Sequence, residues 1–165
     1  MKKIIIVFIL LVQVLTCFSG CEMLNEETYN SRKESNKLLS ELLDAFANND
    51  AAAIKELLAP DLLNSNADIE DEIEEAMVFF DGIIISYDEI RTPASGERYQ
   101  EGELVYARIG NALTENIVTD SDTYEMSFSA VVINERKNTQ EGIWRIWIGK
   151  SDGHYIVIGA DDYDL

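Results

Sequence analysis

The side chains best suited to catalysis or metal binding are scarce in this sequence of 165 residues. It contains two cysteines, Cys17 and Cys21, and one histidine, His154. A Ser-His-Asp or Cys-His mechanism needs a histidine beside a nucleophile, and a structural zinc site needs four nitrogen or sulfur ligands. His154 follows an Asp-Gly pair that is typical of a tight hairpin, so we expect it to be a turn residue. The composition argues against both kinds of site, and we predict no cofactor.

A second set of candidates combines arginines with aromatic residues on predicted strands. Arg108 lies within LVYARIG and Arg145 lies within IWRIWIG. Strand alternation puts Arg108 on one face with Tyr106, and Arg145 on one face with Trp147. Either both arginines lie on the outer face of the sheet, or at least one points inward and binds a carboxylate or similar anion. The second hypothesis predicts a pocket lined by Tyr87, Tyr106, Arg108, Tyr124, Phe128, Arg145 and Trp147.

Two acidic segments have the spacing that hard cations prefer. DSD at residues 120–122 and DDYD at residues 161–164 both place carboxylates two positions apart. A calcium loop of the EF-hand type needs further ligands and a glutamate at fixed spacing, and neither segment has them. We therefore predict no metal site and expect these acids to face solvent.

The first twenty residues have the features of an export signal. Lys2 and Lys3 precede an apolar run from Ile4 to Leu15, and small residues follow it. The run is shorter than the about 20 apolar residues that a membrane-spanning helix needs. The segment is therefore predicted to be a signal peptide rather than a permanent membrane helix.

Residues 18–21, Phe-Ser-Gly-Cys, resemble the lipobox of bacterial lipoproteins, in which a small residue precedes a cysteine that is lipidated and becomes the mature N-terminus. Gly20 before Cys21 is small, whereas Thr16 before Cys17 is β-branched, so Cys21 is the predicted lipidation site. The resemblance implies two acyl chains on Cys21, which suffice for stable anchoring. It predicts a lipid-anchored protein at the extracytoplasmic face of the cell membrane. The alternative is an ordinary buried thiol behind a plain secretory signal.

Charge limits the partners of the mature chain. The whole sequence has 13 basic and 31 acidic side chains, and loss of residues 1–20 removes two of the lysines, which leaves a formal charge of −20. Such a surface repels nucleic-acid phosphates and anionic headgroups, so we predict no nucleic-acid partner. Residues 21–30 are polar and acidic and are predicted to form a tether with a reach of about 20 Å.

Helical spacing of apolar residues predicts three helices, over residues 31–50, 51–60 and 68–80. Asp50 and Asp68 stand where side-chain caps are favoured, and Pro60 is predicted to stop the second helix. Alternating β-branched and aromatic residues then predict five strands, over residues 82–90, 102–113, 123–133, 142–149 and 154–159. The segments at 92–100 and 134–142 are predicted to be turns or loops. Residues 31–165 are thus predicted to form one α+β domain with a mostly antiparallel sheet.

Residues 46–50 followed by 54–60 resemble the opening helical pair of the nuclear-transport-factor-2-like superfamily. Residues 117–128 and 141–146 resemble a group of uncharacterised lipoproteins of Gram-positive bacteria with that fold. The resemblance implies N-terminal helices packed on a curved, mostly antiparallel sheet in the shape of a cone. These are fold motifs, and no catalytic pattern accompanies them.

The resemblance also leaves an enzymatic option. Some proteins of this fold, ketosteroid isomerase among them, use an aspartate base and a tyrosine or acid as oxyanion donor. The sequence contains residues of these types: Asp88 follows Tyr87, and Tyr106 and Tyr124 lie on neighbouring predicted strands. We expect instead a non-catalytic module that binds a small molecule or an extracytoplasmic protein. The alternatives are an isomerase-like or hydrolytic enzyme with an Asp/Tyr pocket, and a small acidic immunity or inhibitor protein.

Overall fold

Helices precede strands in the computed structural model of the chain, which describes residues 29–91 and 93–159. Within these residues the helices are α1 (Ser31–Ala47), α2 (Ala51–Leu57), α3 (Pro60–Ser65) and α4 (Ile69–Phe79). The strands are β1 (Ile84–Ser86), β2 (Ala94–Gln100), β3 (Glu103–Thr119), β4 (Thr123–Asn134), β5 (Gly142–Lys150) and β6 (Tyr155–Gly159). A short 3-10 helix, Asn138–Gln140, precedes β5. The α+β class predicted from the sequence is confirmed.

All six strands belong to one curved sheet: five follow the order β1-β3-β4-β5-β6, and β2 also pairs with β3. Every pairing between the strands is antiparallel. The seventeen-residue β3 pairs with β2 along its first half and with β1 near its end. Asn111 and Asn116 have positive φ angles of 48° and 55°, and the register with β4 shifts at both places. Bulges of this kind bend a strand and increase its twist.

The helices cover one face of the sheet. Their buried side chains recur with helical spacing, and the strand residues beneath them alternate with exposed ones. The fully buried larger side chains are Leu39, Leu42, Ile54, Leu62, Ile90, Ile109, Ile117, Tyr124, Met126, Phe128, Ile143 and Ile146. Each side chain of this size stabilises the fold by about 1.5 to 3 kcal/mol relative to an exposed one.

Two elements differ from the sequence prediction. Pro60 does not simply stop a helix: it is the first residue of the additional helix α3, where its fixed φ suits the helix and no backbone donor is needed. The segment 92–100, predicted as a turn region because of Pro93 and Gly96, contains β2. Glu101 and Gly102, both with positive φ, then form the tight turn into β3.

Replacing Asp50 with alanine is expected to lower the free energy of unfolding by about 1 kcal/mol, because its side chain accepts a hydrogen bond from the Ala53 N–H at 3.0 Å. Asp68 also stands at a helix N-terminus, yet its side chain makes no capping bond. Asp68→Ala is therefore the matched control for the charge at a helix end, and it should cost less. Urea denaturation measures both losses, and equal losses would contradict this difference between the two caps.

Candidate functional site

Two of the seven candidate pocket residues lie in the core. Tyr124 is 0% exposed and Phe128 is 1% exposed, both on the face of β4 that the helices cover. The Tyr124 ring packs against Phe80, with ring centroids 4.6 Å apart, and against Phe79 at 6.1 Å. These side chains fill the helix-covered side of the sheet and do not line an open cavity there.

The Tyr124 hydroxyl has a structural role. It accepts a hydrogen bond from the Asp81 N–H at 2.9 Å, and it lies 3.1 Å from the Phe79 carbonyl, to which it can donate. Phe79 is the last residue of α4, and Asp81 lies in the connection from α4 to β1. A tyrosine hydroxyl has one proton and two lone pairs, so these contacts use most of its capacity. Tyr124 thus fixes the start of β1 and is not presented to a substrate.

The Asp/Tyr pair proposed as an enzymatic option is not assembled with Tyr124. Asp88 and Tyr87 are both exposed and follow β1. The Asp88 carboxylate accepts a hydrogen bond from the Asn116 side-chain amide at 3.0 Å, and its backbone carbonyl accepts one from the Thr114 hydroxyl. These contacts attach the segment to β3, so the arrangement gives no support to an acid–base pocket.

Both candidate arginines lie on the outer face of the sheet, opposite the helices. Their chain neighbours Ile109 and Ile146 are buried beneath the helices, so alternation directs Arg108 and Arg145 the other way. Arg108 is itself exposed, and its partner on β2 is Gly96. The prediction of an inward-pointing arginine is therefore corrected, since alternation places neither side chain beneath the helices. The Arg145 Nε is still buried, so that side chain is partly desolvated on the outer face.

The outer face brings Tyr106 and Arg108 together with a residue that the sequence analysis missed. Arg98 on β2 is the register partner of Tyr106, and its guanidinium carbon lies 5.1 Å from the centroid of that ring. Arg108 extends across Gly96, where an added methyl group would lie 3.0 Å from its Nε. A groove of about 270 Å³ forms here, lined by Gly96, Glu97, Arg98, Tyr106 and Arg108. We call it the arginine groove.

The arginine groove is cationic in a chain of net charge −18. Glu97 also lines it, but its carboxylate accepts a hydrogen bond from the Tyr99 hydroxyl at 2.9 Å. That bond raises the pKa of Tyr99, since it favours the protonated phenol. An anion in the groove would meet the two guanidinium groups, the Tyr106 ring and the Glu97 carboxylate, so two arginines and one glutamate give the groove a formal charge of +1.

Trp147 belongs to a different part of the outer face. It lies over Gly149, where an added methyl group would come within 2.2 Å of the indole, and its ring is 6.2 Å from that of Tyr155. Its register partners are Ser127 and Val157. The seven candidates are thus divided among the core, the outer face and the β1 edge, and only Tyr106 and Arg108 share a groove.

The acidic turn at residues 120–122 caps backbone groups. Asp120 accepts a hydrogen bond from the Ile83 N–H at 2.7 Å, and Asp122 forms an ion pair with Lys150 at 3.1 Å. A bond from the Thr123 N–H and the contact with Lys150 hold the pKa of the Asp122 carboxyl below its usual range. The described residues contain no cluster of histidine, cysteine and acidic side chains that could hold a metal ion. The DDYD segment and Cys21 lie outside the described residues.

His154 lies at the hairpin between β5 and β6, as its position after Asp-Gly indicated. It is exposed, and its Nδ1 is 3.1 Å from the Asp152 carboxylate. The same aspartate accepts a bond from the His154 N–H at 2.9 Å. The contacts are local to the turn and bring no nucleophile beside the imidazole.

Comparison with known proteins places the chain in a family without assigning an activity. No helix of the described residues has the length and apolar character required to cross a membrane. No curated protein matches the chain. One family model covers residues 41–152, which span the last part of α1, α2 to α4 and the strands β1 to β5. The chain belongs to the family described as a domain of unknown function, DUF5104.

Proposed function

We propose that the protein is a lipoprotein anchored through Cys21 at the extracytoplasmic face of the cell membrane, where its non-catalytic domain binds an anionic ligand. The lipobox-like sequence Phe-Ser-Gly-Cys supports the anchor. Helices packed on one face of a curved antiparallel sheet support a nuclear-transport-factor-2-like fold. The arginine groove is the observation that carries the binding function.

The chemistry of the groove favours a carboxylate or a phosphate. Guanidinium groups donate two parallel hydrogen bonds to either group, and such charge-assisted bonds are among the strongest in proteins. Packing against Tyr106 restrains the Arg98 side chain, which lowers the entropy that is lost on binding. The missing side chain at Gly96 leaves space for the Arg108 side chain.

The net negative charge of the protein also affects how strongly an anion can bind in the groove. The acidic domain repels an approaching anion at long range, while the two arginines attract it over a few ångströms. At physiological salt the Debye length is about 8 Å, so the long-range repulsion is screened more strongly than the short-range attraction. The groove is therefore suited to a ligand whose anionic group is delivered by a larger molecule that also makes other contacts.

Replacing Arg98 and Arg108 together with alanine is expected to weaken anion binding at least tenfold, because both cationic walls of the groove are lost. The probes are hexaglutamate and linear hexaphosphate, titrated calorimetrically into the full-length protein in detergent. Preference for one probe identifies the ligand as an acidic peptide or as a phosphate-bearing molecule.

Arg136→Ala is the matched control, since Arg136 is an exposed arginine in the loop after β4. It should leave both affinities within a factor of two. If neither probe binds the parent protein, or if the control weakens binding as much as the groove variant does, the proposed anion site is wrong.

A further inference from the structure

An exposed apolar row marks the edge strand β1. Ile83, Ile85 and Tyr87 occupy alternate positions and are 74%, 66% and 42% exposed. Val78, in the last turn of the preceding helix α4, is 83% exposed. These four are a majority of the seven large hydrophobic side chains exposed among the described residues. Contiguous exposed apolar surface of this kind marks interaction sites. We call Ile83, Ile85 and Tyr87 the apolar edge.

The apolar edge is held in place rather than carried on a loose loop. The Ile83 N–H donates to the Asp120 carboxylate at 2.7 Å, and the Asp120 N–H donates to the Ile83 carbonyl at 3.1 Å. Gly82 has a φ of +94°, and an added methyl group there would lie 2.5 Å from the same carboxylate. Together with the Tyr124 contacts to Asp81, these bonds fix the backbone from which the isoleucines project. A fixed surface loses less entropy when a partner binds.

One edge of β1 has no partner strand within residues 29–91 and 93–159. β1 pairs with β3, and no other strand of the described residues pairs with it. An edge strand presents backbone donors and acceptors that a further strand can satisfy. Main-chain bonds then supply affinity, and alternate side chains supply specificity.

The charges around the apolar edge determine which strand fits. Four exposed acidic residues surround the apolar edge. Asp81 and Asp88 lie in the segments before and after β1, Glu115 lies on β3, and Asp120 lies in the turn that follows β3. A second copy of the chain would bring the same acids against each other, and anionic headgroups would be repelled in the same way. Lysine or arginine side chains on the incoming strand would instead be attracted.

We propose that the apolar edge binds an extended segment of a protein partner in which apolar residues alternate with lysine or arginine. The segment adds to the sheet beside β1, its apolar side chains cover Ile83 and Ile85, and its cations lie against the acidic rim. This site is separate from the arginine groove and does not depend on it, because β2 and β1 pair with different halves of β3.

Two labelled peptides test the proposal, acetyl-(Lys-Val)4-amide and acetyl-(Glu-Val)4-amide, by fluorescence anisotropy with the full-length protein in detergent. The lysine peptide should bind at micromolar concentration, and the glutamate peptide at least tenfold more weakly. Raising the salt concentration from about 0.05 to about 0.5 M should weaken binding of the lysine peptide, since the rim charges are exposed.

The variant Ile83→Lys, Ile85→Lys should reduce lysine-peptide affinity at least tenfold with an unchanged melting temperature, because both side chains are exposed. Tyr155→Lys on β6, the opposite edge strand, is the matched control for the added charge and should lose less than threefold. Equal binding of the two peptides, or equal losses in the two variants, would overturn the proposal. So would a dimer in analytical ultracentrifugation that Ile83→Lys, Ile85→Lys dissociates, because a second copy would then occupy the edge.

Discussion

Cells that produce the Cys21→Ser variant are expected either to release the protein from the membrane fraction to the medium or to accumulate it as an unprocessed precursor that retains residues 1–20. The thiol of Cys21 is the proposed attachment point of the diacylglycerol, and serine cannot form the thioether. Two acyl chains hold a protein stably on a bilayer, and the acidic surface provides no electrostatic substitute for them. Fractionation followed by immunoblotting, with mass spectrometry of the mature N-terminus, measures the change.

Cys17→Ser is the matched control, because it removes the neighbouring thiol from the segment that is cleaved. It should leave both the location and the mature mass unchanged. Equal effects of the two substitutions, or a membrane fraction that retains the Cys21→Ser protein in processed form, would contradict the proposed lipidation site.

Replacing Tyr124 with alanine is expected to lower the free energy of unfolding by about 3 to 5 kcal/mol, since a fully buried ring is exchanged for a cavity. Tyr124→Phe keeps the ring and removes the hydroxyl, which leaves the Asp81 N–H without that acceptor, and should cost about 1 to 3 kcal/mol. Urea denaturation of both variants separates the contribution of packing from that of the hydrogen bonds.

The Tyr124→Phe variant tests the structural role of the Tyr124 hydroxyl more directly. Its lower stability should be accompanied by faster amide exchange at Asp81, Gly82 and Ile83, because the Tyr124 contacts hold this stretch of backbone in place. A variant as stable as the parent, with unchanged exchange at these positions, would show that the hydroxyl does not fix the connection between α4 and β1.

Much of the fold was predictable because the spacing of apolar residues that identifies helices and strands is a local feature of the sequence. Helical spacing identified α1, α2 and α4, and alternation of β-branched and aromatic residues identified five of the strands. β2 was missed because its residues, Ala94 to Gln100, are mostly polar and include a glycine. They form a strand because the Glu101-Gly102 turn folds them against β3. α3 was missed because Pro60 was interpreted as the end of the second helix, whereas α2 already ends at Leu57 and Pro60 begins α3.

The candidate site was less predictable for a different reason. Alternation shows which residues share a face with Arg108, but it cannot show which face the helices cover. That choice depends on long-range packing, such as the burial of Ile109 beneath α-helical side chains. Arg98 could have been found only after β2 was recognised, because it reaches Tyr106 through cross-strand register.

The order of the strands bears on how the chain folds. From β2 to β6, each strand pairs with the one that follows it, so four registers are set by connections that are short in sequence. Other contacts close much larger loops, such as the bond from the Gly159 N–H to the Glu72 carboxylate, which joins positions 87 residues apart. Local contacts incur little loop-closure entropy, whereas long loops slow the step that forms them. We therefore expect the hairpins of the sheet to form early, with the docking of α4 on β6 as the late, rate-limiting closure of the core.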